Sequence, residues 1–125
     1  VVDDSADVRN YLNALLKQNG ADVTTAASAA EALEQAKAHF PDVMVSDIGM
    51  PCRDGYELMQ DIRALHHQIA NMPAIAMTAY GNNIDRAKAL AAGFQRHITK
   101  PANNEQLIST IYELAHAPSP SPRTM

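Results

Sequence analysis

The sequence predicts an α/β domain built on a five-stranded parallel sheet with helices on both faces. Short apolar runs alternate with segments of helical periodicity along the chain. The central run, Val43-Met44-Val45, is continuously apolar, as a parallel strand buried on both faces tends to be. Helix starts and stops fall between the runs at Ser, Gly, Pro and Asp residues.

In order, Val1-Val2 is the first apolar run and leads at once into Asp3-Asp4. A strand is usually about five residues long, so this one reads as truncated at its N-terminus and the chain as a fragment of something longer. Residues 5–18 place Val8, Tyr11, Leu12, Leu15 and Leu16 at helical spacing, with Gly20 as the stop. Residues 21–26, with Val23 between polar neighbours, read as a weak second strand. Ser28 and Glu31 match a capping box, so a helix is expected over residues 29–39, ended by Phe40-Pro41.

The third strand, from Val43, ends at Ser46-Asp47, and the loop after it carries Pro51 and the turn pair Asp54-Gly55. A helix with Tyr56, Leu58, Met59, Ile62 and Leu65 follows. Residues 74–77 form the fourth strand, ending at Thr78, and a helix over residues 83–92 stops at Gly93. The fifth strand, residues 95–99, leads to Lys100-Pro101, and the last helix carries Leu107, Ile108, Ile111, Leu114 and Ala115. The domain is expected over residues 1–116. Residues 117–125 form a Pro/Ser-rich tail that cannot continue a helix and is expected to be disordered.

Five strand–helix pairs with right-handed crossovers favour the flavodoxin-like order 2-1-3-4-5. The 125 residues suffice for one core. A net charge of -4 and the lack of any basic run argue against a nucleic-acid surface. The lone cysteine, Cys52, excludes an intrachain disulfide and fits a reducing cytosol. No apolar stretch approaches the roughly 20 residues that cross a bilayer. A cytoplasmic domain without direct membrane contact is therefore expected.

Function is written in the strand ends. The first ends in Asp3-Asp4, the third in Asp47, the fourth in Thr78 and the fifth in Lys100. In the order 2-1-3-4-5 these four strands are neighbours, and ligands bind beyond their carboxyl ends at the switch point. Three carboxylates gathered there repel one another unless a cation intervenes. An all-oxygen donor set favours Mg²⁺, which takes one or two carboxylates together with phosphate oxygens. Thr78 and Lys100 suit the remaining oxygens of a phosphoryl group, and a carboxylate can itself be the nucleophile.

With these pieces in order, the chain resembles the receiver domains of response regulators and hybrid histidine kinases. The likeness rests on Asp3-Asp4, Asp47-Ile48-Gly49-Met50-Pro51, Thr78-Ala79 and Lys100-Pro101. The resemblance implies that Asp47 is the phosphoacceptor, that Asp4, Asp47 and the Gly49 carbonyl bind Mg²⁺ directly, and that Asp3 acts through water. It implies that Thr78, the Ala79 N–H and Lys100 hold the phosphoryl oxygens, and that the Lys100-Pro101 bond is cis. The implied partner is a histidine kinase or a histidine phosphotransfer protein, contacted through Tyr11 and Ala102. Weak pairing of two copies through the fourth helix, fifth strand and fifth helix is also implied. Such a domain catalyses only its own phosphorylation and slow hydrolysis.

His97 departs from the family pattern, because that position usually carries Tyr or Phe and turns inward as Thr78 moves to the phosphate. Imidazole is smaller and can ionise, so the switch is expected to be weaker or pH-sensitive. The run Thr78-Ala79-Tyr80-Gly81, with Ala92-Gly93-Phe94, points to the receiver of a hybrid kinase as the parent. A stand-alone regulator and a degenerate receiver that only binds partners are the alternatives. A phosphatase with an Asp nucleophile would need a second acid where Gly49 stands, and a flavin or dinucleotide site would need a Gly-rich loop after the first strand. Gly49 and Tyr80 offer no group to position an attacking water, which suggests a long-lived phosphate.

Overall fold

In the computed structural model, the described residues are 1–50, 54–65, 68–78, 83–100 and 103–116. Five helices are α1 (Ala6–Gln18), α2 (Ala29–His39), α3 (Gly55–Arg63), α4 (Asn83–Ala92) and α5 (Asn104–His116). The strands are β1 (Met44–Asp47), β2 (Ala74–Thr78) and β3 (Arg96–Thr99), and a short 3₁₀ turn spans Gln68–Asn71.

The strands pair in parallel in the order β1-β2-β3. These are the third, fourth and fifth strands of the sequence reading. The first two are reduced to single parallel bridges, from Val2 to Ala26 on one side and to Ser46 on the other. One row therefore crosses the whole sheet through Ala26, Val2, Ser46, Ala76 and His97. That is the order 2-1-3-4-5, and the fold is the flavodoxin-like one. Residues 21–26 fall short of a regular strand: among the described residues only Ala26 bridges to the sheet.

Strand alternation assigns the faces. Ala26, Val2, Met44, Ala74 and Ala76 pack with α2, α3 and α4 through Ala32, Ala36, Leu58, Met59, Ile62 and Ala89. Val45, Ile75, Met77 and Ile98 pack with α1 and α5 through Leu12, Leu107 and Leu114. Small alanines on the first face let α2 and α4 approach closely, which suits a chain with no Trp and only two Phe.

The helix ends follow local chemistry. Ser5 caps α1 by accepting the Val8 N–H, and Ser28 caps α2 by accepting that of Glu31. Glu31 reaches back to the Ala27 N–H rather than to that of Ser28, so the expected box is shifted by one residue. The full reciprocal box forms at α3 instead, between Asp54 and Glu57. Gly20 and Gly93 end their helices at φ of 89° and 114°, where a β-carbon is disfavoured. Arg63 fastens the far side of α3, its guanidinium donating to the Gly93 and Ala70 carbonyls.

A cleft of about 700 Å³ opens at the amino end of the sheet, with Val1, Thr24, Phe40, Val43, Ile108 and Tyr112 in its walls. None of the strand-end residues singled out above lines it. No helix of the described residues is long and apolar enough to cross a membrane.

Candidate functional site

The site stands at the opposite, carboxyl end. Val2 holds the first strand against β1, donating its N–H to Val45 O at 2.7 Å and accepting that of Asp47 at 2.8 Å. One residue further along, this register brings Asp3 beside Asp47. Both are buried, whereas Asp4 is exposed. Oxygens of all three carboxylates lie within 4.8 Å of one another.

Lys100 arrives from the end of β3, its N–H donating to Thr78 O at 2.7 Å. Its ammonium reaches Asp47 Oδ1 at 2.9 Å and Asp3 Oδ2 at 3.5 Å. Burial alone would lower the Lys100 pKa. The hydrogen bond and charge of Asp47, with those of Asp3, outweigh it and raise the pKa above 10.5. Asp3 is oriented by the Ser5 N–H on its Oδ1 at 2.9 Å, and Arg9 holds its backbone carbonyl at 2.8 Å. Of the three acids Asp3 is the most enclosed.

Thr78 is buried at the end of β2, next to Thr99 in register. Gly49 is exposed, and a β-carbon there would touch nothing within 4 Å. His97 is partly buried, on the same sheet row as Ala76. Its Nε2 is shielded from solvent and has no hydrogen-bond partner among the described residues. Tyr11 is half exposed and donates its hydroxyl to Asn104 Oδ1 at 2.8 Å, tying α1 to α5. His39 and His116 are exposed, as their helical positions suggest. Cys52, His66, His67, Ala79, Tyr80, Ala102, the Lys100-Pro101 bond and the tail 117–125 lie outside the described residues.

Two residues beside Asp47 escaped the sequence reading. Ser46 is completely buried, and its hydroxyl donates to the Asp47 backbone carbonyl at 2.9 Å. Gly55, read only as part of a turn, is the first residue of α3 and packs on the same carbonyl: a β-carbon there would stand 2.6 Å from Asp47 O. Asp54 and Glu57, at capping-box spacing, were the available signal that Gly55 opens a helix. Nothing in the sequence marks the Ser46 contact.

Comparison with known proteins agrees with this geometry. The family model described as the response regulator receiver domain matches residues 1–112. An uncharacterized 14.6 kDa protein of Leptolyngbya boryana is 42% identical over 120 residues, covering 94% of this chain and 91% of the relative. The solved structure of the chemotaxis response regulator CheY4 of Vibrio cholerae superposes with a TM-score of 0.83 at 31% identity, over 90% of this chain and 93% of that one. The signal receiver domain of a signal transduction histidine kinase from Syntrophus aciditrophicus gives 0.85 at 25% identity, over 99% and 93%. The chain belongs to the response regulator receiver domain family. It is a receiver domain of two-component signalling.

Proposed function

We propose that this domain accepts a phosphoryl group from a phosphohistidine onto Asp47. The observation that carries the reading is the ion pair at 2.9 Å between Lys100 and Asp47 inside a cluster of three carboxylates. An Asp47 oxygen attacks phosphorus, an O–P bond forms and the P–N bond to the donor imidazole breaks. The imidazole nitrogen leaves with the electron pair and takes a proton from solvent. Lys100, one of whose carboxylate contacts is to the attacking residue, is placed to follow the negative charge onto the transferred oxygens. Thr78, buried at the adjacent strand end, would supply a hydroxyl.

The donor set fits a divalent cation, because three carboxylates face a single ammonium and every candidate ligand is oxygen. Asp4, Asp47 and the Gly49 carbonyl would hold Mg²⁺, and Asp3 would support it. When bound, the ion neutralises charge on the phosphoryl oxygens. Output is proposed to run through Thr78 and His97, with an imidazole whose Nε2 has no partner among the described residues in place of the ring of a Tyr or Phe.

The likeness to a histidine-kinase receiver supports a hybrid kinase as the parent. The 14.6 kDa relative, 91% of which is covered, supports a stand-alone regulator. In either setting the partner is a phosphohistidine protein that docks over the carboxyl end beside Tyr11. Pairing of copies would use α4, β3 and α5, where Leu90 is exposed and Arg96 pairs with Glu113.

Acetyl phosphate with Mg²⁺ is expected to add one acid-labile phosphoryl group, read as a single mass increment. Asp47→Asn abolishes it, and Lys100→Ala slows it while leaving the fold intact. Undiminished labelling of Asp47→Asn would overturn the assignment.

A further inference from the structure

We infer that Ser46 is a positioning residue for the phosphoacceptor, acting through the peptide bond between Asp47 and Ile48; this rests on the reading of Asp47 above. In a parallel ladder the N–H and C=O of one residue point to the same neighbour. The Asp47 N–H donates to Val2 O, so the Asp47 carbonyl faces the first strand as well. There the ladder stops. Asp3 donates its N–H to Ala26 O, and Ser5 then caps α1 and leads the chain away. The carbonyl directly after the phosphoacceptor is thus left where the sheet no longer serves it.

Ser46 serves it instead. Its side chain has no exposed surface, and its hydroxyl donates to Asp47 O at 2.9 Å. Among the described residues this is the hydrogen bond that carbonyl receives. Gly55 closes the other side, since a β-carbon at its position would come within 2.6 Å of the same oxygen, and the Gly55 N–H donates to Ile48 O at 2.9 Å. The Ile48 N–H donates to Met77 O at 3.1 Å. The peptide plane between Asp47 and Ile48 is therefore fixed by a hydroxyl, by α3 and by β2.

That plane determines two functional directions. On its N-terminal side it sets how the Asp47 side chain leaves the strand, towards Lys100. On its C-terminal side it sets the course of the chain to the Gly49 carbonyl. A buried carbonyl without its donor would turn to find another, and both directions would turn with it.

The pair Ser46→Thr and Ser46→Val separates the hydroxyl from the volume, because the two side chains have nearly the same shape. Ser46→Ala adds no bulk and covers the case in which neither larger residue folds. Each variant is assayed folded, below its own unfolding transition, for acetyl phosphate labelling rate at saturating Mg²⁺, for Mg²⁺ affinity by titration, and for the ¹³C shift of the Asp47 carbonyl. Thr is expected to match the native protein, whereas Val and Ala label about tenfold more slowly. Val and Ala should also bind Mg²⁺ more weakly and move the carbonyl resonance upfield. Equal rates for Thr and Val, or an Ala variant that loses stability but keeps the native rate and Mg²⁺ affinity, would overturn the role of Ser46. Absence of labelling in the native protein would instead overturn the assignment of Asp47.

Discussion

At the carboxyl end of the sheet the Lys100 ammonium lies between two carboxylates, and its pKa is raised. At the amino end the Arg63 guanidinium donates to the Gly93 and Ala70 carbonyls and to Gln95 Oε1, and burial lowers its pKa. A partly buried cation is thus favoured in its charged form at one end and penalised at the other. The difference lies in what each end is made of. The carboxyl end gathers charges of both signs with hydrogen bonds to each. The amino end offers Arg63 neutral acceptors, two backbone carbonyls and a side-chain amide.

The largest effect should come from overfilling the carboxyl end. Gly55→Ala puts a methyl against Asp47 O at 2.6 Å, Ile48 Cδ1 at 2.8 Å and Ile48 Cα at 3.0 Å before relaxation; the Ile48 side chain can turn away, but the two backbone atoms cannot move alone. It is expected to lower stability by about 1–3 kcal/mol in urea unfolding. Gly49→Ala, with open space around it, should leave the midpoint near that of the native protein.

Next comes the hinge between the two ends. Val2 is 3% exposed and is the residue through which Ala26 and Ser46 join one sheet. Val2→Ala should cost about 1–2 kcal/mol. Amide exchange should rise first at Ala26 and Asp3, whose bonds lie on the single-bridge side, and later at Ile48, which donates to β2. Uniform acceleration would show that the two sides open together.

The smallest effect is electrostatic. The raised pKa of Lys100 means its contribution to stability is complete below 10.5 and is lost as pH rises through the folded-state value. Native protein should therefore lose stability more steeply above that pH than Lys100→Met does, by thermal melts across the alkaline range. Parallel curves would mean that solvent screens the ammonium, which is partly exposed, from Asp3 and Asp47.

Much of this was legible in the sequence because periodicity and punctuation are local. The spacing of Leu12 and Leu16, the cap at Ser28, and the stops at Gly20 and Gly93 depend on residues a few positions apart. The gathering of Asp3, Asp47, Thr78 and Lys100 was legible for a different reason: parallel alternation forces every strand's carboxyl end to the same side. The weak strand at residues 21–26 pairs for as far as its partner extends: Val1 donates to Thr24 O, Ala26 to Val1 O and Asp3 to Ala26 O, so a single bridge at Ala26 is what forms. The burial of Asp3 was not legible, since it depends on contacts from Ser5 and Arg9 in the turn and helix that follow.

By itself, then, the sequence determined which residues end each strand, and hence which chemistry collects at one edge. Only the tertiary structure decided how those groups are held: that Lys100 takes Asp47 at 2.9 Å and Asp3 at 3.5 Å, and that Ser46 and Gly55 clasp the carbonyl between them. The reason is range. Strand ends follow from a repeat of two or a few residues, whereas the orientation of a peptide plane depends on where a ladder between distant segments stops and leaves a carbonyl to the neighbouring Ser46 hydroxyl.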